Sequence, residues 1–553
     1  MDKNLLLFLE NKTDALNDRI ALGMKSTLGT KELSFNGVGI LSKRFAGHLI
    51  NLGIDKGDNV AILSESMPEW GAVLFGSVIA GTAVVPLDIK LTIFEMETIL
   101  KDSTPRVLAV SSQYLNKAVE LKEKVSSIEH IILIDDNGAN GAFPSLYTIP
   151  QGDVKFRHRS LNKTALIVYT SGSTGQPKGV EITFKNVLAQ IEAIDKCFGE
   201  HLGPGDALLS ILPLNHLFEL TVGLLSFLNM GTSIYYSKSL KPKDVFAIIQ
   251  EKNVTFMIVV PAFLKLLKAF IEQEVTQKSK YAKLSFRISY AIAKVLNFKW
   301  AKKLLFKRIR KKFGKRFKGF FSGGAPLDIE VANFFETVGI DIYEGYGLSE
   351  ASPVVSVNTP KHRRLGSVGK PLFNVQVKTD ESTGELMVRG DSVMKGYFKM
   401  PELTAETITK DGWLKTGDIA RIDKDDFVWI TGRIKNLIVL SGGKKVFPEE
   451  VETALFGSPM FKELCVFPYK HATGQKEGTE DVGVVVVPSE KLLNKASDKS
   501  EIEKLARAEI KELSQKISSY KRPTVVIVTD DALPRTPLNK IKRKDVKEIY
   551  SEK

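Results

Sequence analysis

Short apolar runs alternate with longer stretches of helical spacing through the first two thirds of the chain. Val60–Leu63, Ala83–Leu87, Val107–Val110, Ile131–Ile134 and Ala165–Tyr169 read as strands, and so do Leu208–Leu212, Ser233–Tyr236 and Phe256–Val260. Several are apolar without interruption, the pattern of strands buried on both faces of a mostly parallel sheet. Between them, Leu41–Leu52 and Phe94–Lys101 carry apolar residues at helical spacing. The alternation predicts an α/β fold: a large domain of mixed and parallel sheets wrapped by helices.

The pattern changes in the last third. Leu386–Arg389 and Phe427–Thr431 read as antiparallel strands between turn residues, giving a β-rich part over about residues 360–433. A smaller α+β segment follows, with strands Val482–Val487 and Thr524–Val528 and a helix over Glu501–Ile517. The expected boundary lies at Arg433–Asn436, dividing a large domain (1–433) from a small C-terminal one (434–553).

At 553 residues the chain is too long for one core. Charged residues at 26% fit a globular enzyme rather than a disordered chain. No apolar run approaches the roughly 20 residues of a spanning helix. The opening MDKNLLLFLENK lacks a small-residue cleavage site and does not read as a signal peptide. Cys197 and Cys465 are too few for a disulfide framework or a zinc site, so a cytoplasmic setting is expected.

Two segments carry chemistry on their own residues. Tyr169–Val180 reads YTSGSTGQPKGV directly after an apolar run. Gly172 and Gly175 let backbone approach an anion; Thr170, Ser171, Ser173 and Thr174 add hydroxyl donors, and Lys178 adds charge. The string suits a phosphate cradle, and it is not a Walker A loop, because no Gly-Lys-Ser/Thr follows its glycines. Tyr343–Glu350 reads YEGYGLSE. Tyr346 between two glycines is a stacking platform for a flat ring, Ser349 can donate to a phosphate oxygen, and Glu350 is a hard oxygen ligand suited to Mg²⁺.

With these two segments the chain resembles the adenylate-forming (AMP-binding) superfamily, from about Leu33 to Lys544. The LPLNHLFE string ending in Glu219 is most similar to the long-chain fatty acyl-CoA synthetases, and the resemblance places His216 near the carboxylate and the phosphates. It implies an adenosine site at Gly323, Gly324 and Ala325 of SGGAPL and at Glu344, Gly345, Tyr346 and Gly347. Asp418, in GWLKTGD, would meet the ribose, joined by Arg433. Glu350 and Thr170 would hold Mg²⁺. Lys435 falls on the family's hinge, and Gly442 and Gly443 on its thiol-side loop. LPRTPLNKIKR resembles the loop of the catalytic lysine, Lys540, with Asn539 where the family usually has Gly. Asn tolerates left-handed backbone better than most residues, which keeps that loop shape accessible.

The implied reaction joins a carboxylic acid to AMP with loss of pyrophosphate and then hands the acyl group to a thiol. ATP, a medium- or long-chain fatty acid and CoA are the expected substrates. The alternatives are an acyl-carrier-protein synthetase, a ligase that stops at the adenylate, and, from another class, a non-catalytic basic protein that binds membrane or nucleic acid. Net charge is +14, with no acidic residue from Val275 to Leu327 and a basic cluster at 299–318. Leu305, Ile309, Phe313 and Phe317 recur there at helical spacing. That segment suits a helix packed on the domain, a peripheral contact with an anionic membrane, or a dock for an acidic carrier protein.

Overall fold

The computed structural model describes residues 16–26, 29–135, 141–150, 154–171, 177–278, 280–295, 298–440, 444–471, 480–496, 498–535 and 541–551. Two compact units emerge. The first comprises Met1–Val377, Val388–Leu414 and Asp426–Val428; the second comprises Lys378–Met387, Lys415–Asp425 and Trp429–Lys553.

The first unit holds two large sheets. The seven-stranded sheet runs Gly396–Tyr397, Pro177–Thr183, Thr164–Ser171, Ala83–Pro86, Asn59–Leu63, Val107–Val110, His130–Leu133. From Thr164–Ser171 onward all neighbours are parallel. The nine-stranded sheet has six parallel strands in the order Ile20–Ser26, Ser233–Ser237, Ala207–Ser210, Phe256–Val259, Gly319–Ser322, Asp341–Gly347. Gly29–Ser34 closes one edge antiparallel, and Val354–Val357 with Lys370–Pro371 closes the other. The eight strands expected from apolar runs sit where those runs place them, as burial on both faces of a parallel sheet requires.

Helix Pro68–Ala80 shows how the interior is made. All its residues are buried, as an apolar sequence on every face requires. Proline opens it and Gly81, at φ 79°, ends it in the left-handed conformation. Gly76 lets helix Phe35–Asn51 approach: a Cβ there would lie 2.7 Å from Ser42 O. The helix's one acid, Glu69, is buried and is met by Lys31 and the Tyr147 hydroxyl.

A four-stranded sheet runs Val375–Thr379, Glu385–Gly390, Leu414–Ile422, Val428–Arg433. In the second unit Phe461–Lys470 pairs antiparallel with Glu480–Pro488, which pairs parallel with Val525–Val528. Helices Pro448–Leu455, Lys499–Leu513 and Arg543–Tyr550 accompany them. The helix expected over Glu501–Ile517 ends at Leu513 and tightens into a 3₁₀ turn, Ser514–Lys516.

The basic segment also differs from its expected form. It is two short helices, Lys299–Leu305 and Lys307–Lys312, broken at Phe306. Ile309, Phe313 and Phe317 are buried in the core of the first unit, whereas Leu305 is exposed. Phe313 packs edge-on to Phe246 and stacks with Phe317, so aromatic packing rather than a continuous helix sets the path.

Candidate active site

The two chemically marked strings both lie at the C-terminal ends of strands. Thr170 and Ser171 close the strand Thr164–Ser171, with Thr170 opposite Lys178 in the antiparallel register. Gly172, Ser173, Thr174 and Gly175 lie outside the described residues. Lys178 places its ammonium 5.6 Å from the centroid of the Tyr397 ring. The Tyr397 hydroxyl donates to Glu350 Oε1 at 2.9 Å. Burial, and then the Glu350 charge, push the Tyr397 phenol well above its ordinary range. Lys178 and Glu350, far apart in sequence, are thus tied through one tyrosine.

Glu350 is held on its backbone side too. It stands in the 3₁₀ turn Ser349–Ala351, whose Ser349 is half-buried, and its carbonyl accepts from Met394 N at 2.9 Å. Helix Phe184–Phe198 supplies two amides that fix the flanking segments. Gln190 Nε2 donates to Val354 O at 2.8 Å and to Ala351 O at 3.3 Å, and its Oε1 accepts from Val354 N at 3.2 Å. Asn186 Nδ2 donates to Asp391 O and Val393 O at 2.7 and 2.8 Å. The sequence reading missed Tyr397, Gln190 and Asn186. Only Asn186 carried a local signal, the Thr183-x-x-Asn186 capping box.

Beside this turn lies a cleft with about 530 Å³ of non-atom space, open solvent included. Its floor and walls include Gly323, Gly324, Gly345, Tyr346 and Gly347. Phe198, Phe218 and Val222 add apolar cover. Gly323 is narrow by need: a Cβ there would lie 3.3 Å from Phe218 Cζ and 3.6 Å from Gly345 O. Gly347 is more tightly constrained, with Pro353 O 2.0 Å from where its Cβ would stand. The Ser322 hydroxyl is buried in the wall with no hydrogen-bond partner among the described residues. A flat slot with one unmatched polar atom suits a heteroaromatic ring. Ala325 is half-buried just beyond Gly324, whose φ of 80° needs glycine.

Glu344 is buried behind the slot, accepting from Leu327 N at 3.2 Å, and burial pushes its carboxyl up to about 8. Its own carbonyl accepts from Asn358 N at 2.9 Å, so the strand is pinned rather than open. His216 is half-buried in the turn before a π-helical segment, Phe218–Ser226. Its carbonyl accepts from Leu220 N at 3.0 Å, anchoring the first turn.

In the second unit, Arg433 Nε lies 2.6 Å from Asp418 Oδ1, the carboxylate buried and the arginine open to solvent. Both follow the strand pattern Leu414–Ile422 and Val428–Arg433, and Lys435 is exposed in the 3₁₀ turn Ile434–Asn436. Lys540, Gly442 and Gly443 lie outside the described residues. The stem that leads to Lys540 is firmly built. Arg535 bridges Ile541, and Lys542 N donates to Pro534 O at 2.8 Å. Arg535 pairs with Glu463 at 3.1 Å; Arg543 pairs with Glu449 at 2.8 Å and grips both oxygens of Glu452 at 2.6 and 2.7 Å. Charge-assisted hydrogen bonds of this kind are shorter and stronger than neutral ones.

Among the described residues no cluster of three His, Cys, Asp or Glu could enclose a metal. Glu350 fits a cation held by one carboxylate together with oxygens that a nucleotide brings, an arrangement Mg²⁺ accepts.

Residues 9–398 match the model of the AMP-binding enzyme family, and residues 435–553 match that of the AMP-binding enzyme C-terminal domain. A long-chain-fatty-acid–CoA ligase of Mycobacterium bovis is 30% identical over 444 residues, covering 76% of this chain and 72% of the relative. A long-chain-fatty-acid–CoA ligase of Escherichia coli O157:H7 is 28% identical over 551 residues, covering 92% and 88%. Among solved structures, ATP-bound MatB from Rhodopseudomonas palustris superposes with a TM-score of 0.78 at 24% identity, covering 100% of this chain and 99% of that one.

Proposed function

The chain belongs to the AMP-binding enzyme family and is an AMP-forming acid–CoA ligase, and on that premise we propose that its acid is a medium- or long-chain fatty acid, joined to AMP and then passed to CoA. The observation that carries the nucleotide half is the slot between Gly323 and Gly345–Gly347, mostly apolar and bordered by the buried Ser322 hydroxyl. The fatty-acid half rests on the His216–Glu219 string and on the similarity to the two long-chain ligases.

A carboxylate is a poor electrophile and must first be activated. One of its oxygens attacks the α-phosphorus of ATP, the bond to the bridging oxygen breaks, and pyrophosphate leaves. Adenine lies in the slot against Tyr346, with the Ser322 hydroxyl toward its ring edge. Asp418 accepts from the ribose hydroxyls, and Arg433 steadies that carboxylate. Thr170, Ser171, Lys178 and Ser349 meet the phosphates as donors, and Lys540 meets the charge that builds as the α-phosphate is attacked. Adenylate-forming CoA ligases use Mg²⁺ with ATP in general, and the ion, when bound, neutralises phosphate charge. Glu350 and Thr170 are the residues that would hold it. Pre-set donors of this kind stabilise charge without reorganising, so no side-chain nucleophile is needed. In the second step the CoA sulfur attacks the acyl carbon, its proton passes to solvent, and the bond to AMP breaks.

With MgATP, a fatty acid and CoA, the expected products are AMP, pyrophosphate and acyl-CoA, read by chromatography. ADP and inorganic phosphate as products would overturn the adenylate chemistry. Turnover with amino acids but not with fatty acids would overturn the acid assignment.

A further inference from the structure

Large apolar side chains exposed to solvent are spread thinly over the described residues, except in one place: nine of them fall between Tyr281 and Leu305. Helix Lys280–Val295 carries five, at Tyr281, Leu284, Ile288, Ile292 and Val295, between 49% and 86% exposed. At 100° per residue these five fall within an arc of roughly 80°. The opposite face of the same helix already has its partner, since Phe286 and Tyr290 pack on the core and Ala293 is buried. The helix is therefore apolar on two faces, and only one is used internally. Along the flank between them stand Lys283, Arg287 and Lys294, all exposed. Soon after the helix in sequence, Phe298, Trp300 and Leu304 are also open to solvent, at 62%, 70% and 67% exposure.

The charge along this stretch of chain is one-sided, although Glu272 and Glu330 of neighbouring elements lie near Tyr290. From Val275 to Leu327 the chain has sixteen basic residues and no acidic one. No described helix is long and apolar enough to cross a membrane, so the apolar strip suits lying on a surface rather than spanning one. We propose that helix Lys280–Val295, with Phe298, Trp300 and Leu304, docks on an anionic lipid bilayer, apolar face in the acyl boundary and basic flank among lipid phosphates. Trp300 and Tyr281 are the amphipathic rings that favour such an interface. An acidic protein would answer the charge but not the breadth of apolar surface. A second copy of this chain would set like charge against like. The proposal rests on the fatty-acid reading only for its purpose: a long-chain acid is concentrated in the bilayer on which the enzyme would sit.

The test uses the full-length protein and co-sedimentation with phosphatidylcholine vesicles, with and without about one third phosphatidylglycerol. The protein should bind the anionic vesicles and release as salt rises. Leu284→Ser with Ile288→Ser and Ile292→Ser should weaken binding at least tenfold. Lys283→Gln with Arg287→Gln and Lys294→Gln should do the same, each near-surface charge counting for roughly fivefold. Neither variant touches the nucleotide cleft, so AMP formation with a soluble acid should be unchanged in both, which also shows that they fold. Equal binding by wild type and variants, no binding to anionic vesicles, or equal binding to neutral ones would overturn the proposal. So would a discrete dimer that the serine variant dissociates, or capture of an acidic carrier protein in place of vesicles. Loss of the fatty-acid reading would appear separately, as absent AMP formation with fatty acids in solution.

Discussion

Glu219 illustrates how far a single residue's setting departs from its chemistry in water. It stands in the π-helical turn between Phe218 and Val222, which line the cleft. It is fully buried, with the Ser210 hydroxyl as the polar side chain beside its carboxyl. Burial pushes its carboxyl up to about 8. An unfolded glutamate titrates near ~4.3, so the folded chain holds the extra proton between those values. The neutral form's stability is therefore intact below about pH 4 and is lost as pH climbs through 8. Glu219→Gln, neutral at every pH, should match wild type at pH 5 and exceed it by a few degrees in Tm at about pH 9. Parallel melting curves across that range would overturn the neutral assignment. The spacing His216–Glu219 was legible in the sequence, but nothing in it marks the glutamate as buried. Tyr397 left no signal at all: it reaches Glu350 only because its strand pairs Tyr397 with Val180, a register no local pattern encodes.

At the scale of one element, helix Phe184–Phe198 organises the site more than any motif residue does. Its N-terminus is closed by Thr183 and Asn186, and its inner face carries Gln190, Ile194 and Phe198, the last two lining the cleft. Gln190 satisfies the carbonyls on both sides of the turn that follows Glu350. Gln190→Leu keeps the volume but leaves Ala351 O and Val354 O without that partner, at a cost of about 1–3 kcal/mol. The expected result is a lower Tm and a raised KM for ATP, with KM for the acid little changed; a loss of Tm with ATP KM unaltered would reduce Gln190 to a packing role. Eight strands of the two large sheets were legible because burial on two faces demands unbroken apolar runs, whereas Ile20–Ser26, Gly319–Ser322 and Asp341–Gly347 were not read as strands. The basic segment was not legible either, since helical spacing at Leu305, Ile309, Phe313 and Phe317 is also met by two short helices and a packed aromatic turn.

At the scale of the molecule, the residues assigned to chemistry fall into two units, and Lys435, the proposed hinge, lies in the second. If Lys540 acts only while the adenylate forms, Lys540→Ala should slow that step by on the order of 10²–10³, the usual loss of one pre-set donor. The same variant, supplied with pure acyl-adenylate and CoA, should form thioester at a near-normal rate. Lys435→Pro should show the reverse, because proline fixes φ near −65° and restricts a hinge. Equal impairment of both steps by Lys540→Ala, measured by single-turnover assays, would move the catalytic lysine elsewhere. The lysine was singled out by the proline-bracketed string alone. The stem around it was not legible, because Glu449, Glu452 and Glu463 lie some 70 to 90 residues earlier in the chain.

The order of strands in the nine-stranded sheet also sets a schedule for synthesis. Leu22 pairs in parallel with Ile234, so the first parallel strand leaves the ribosome more than two hundred residues before its partner. At a translation rate of about 5–20 residues per second, that strand waits roughly 10–40 s with one edge unpaired. Its other edge is occupied early by the hairpin strand Gly29–Ser34. A nascent chain of this protein therefore presents one open strand edge to the cell for tens of seconds, a window in which a ribosome-associated chaperone would have something to hold.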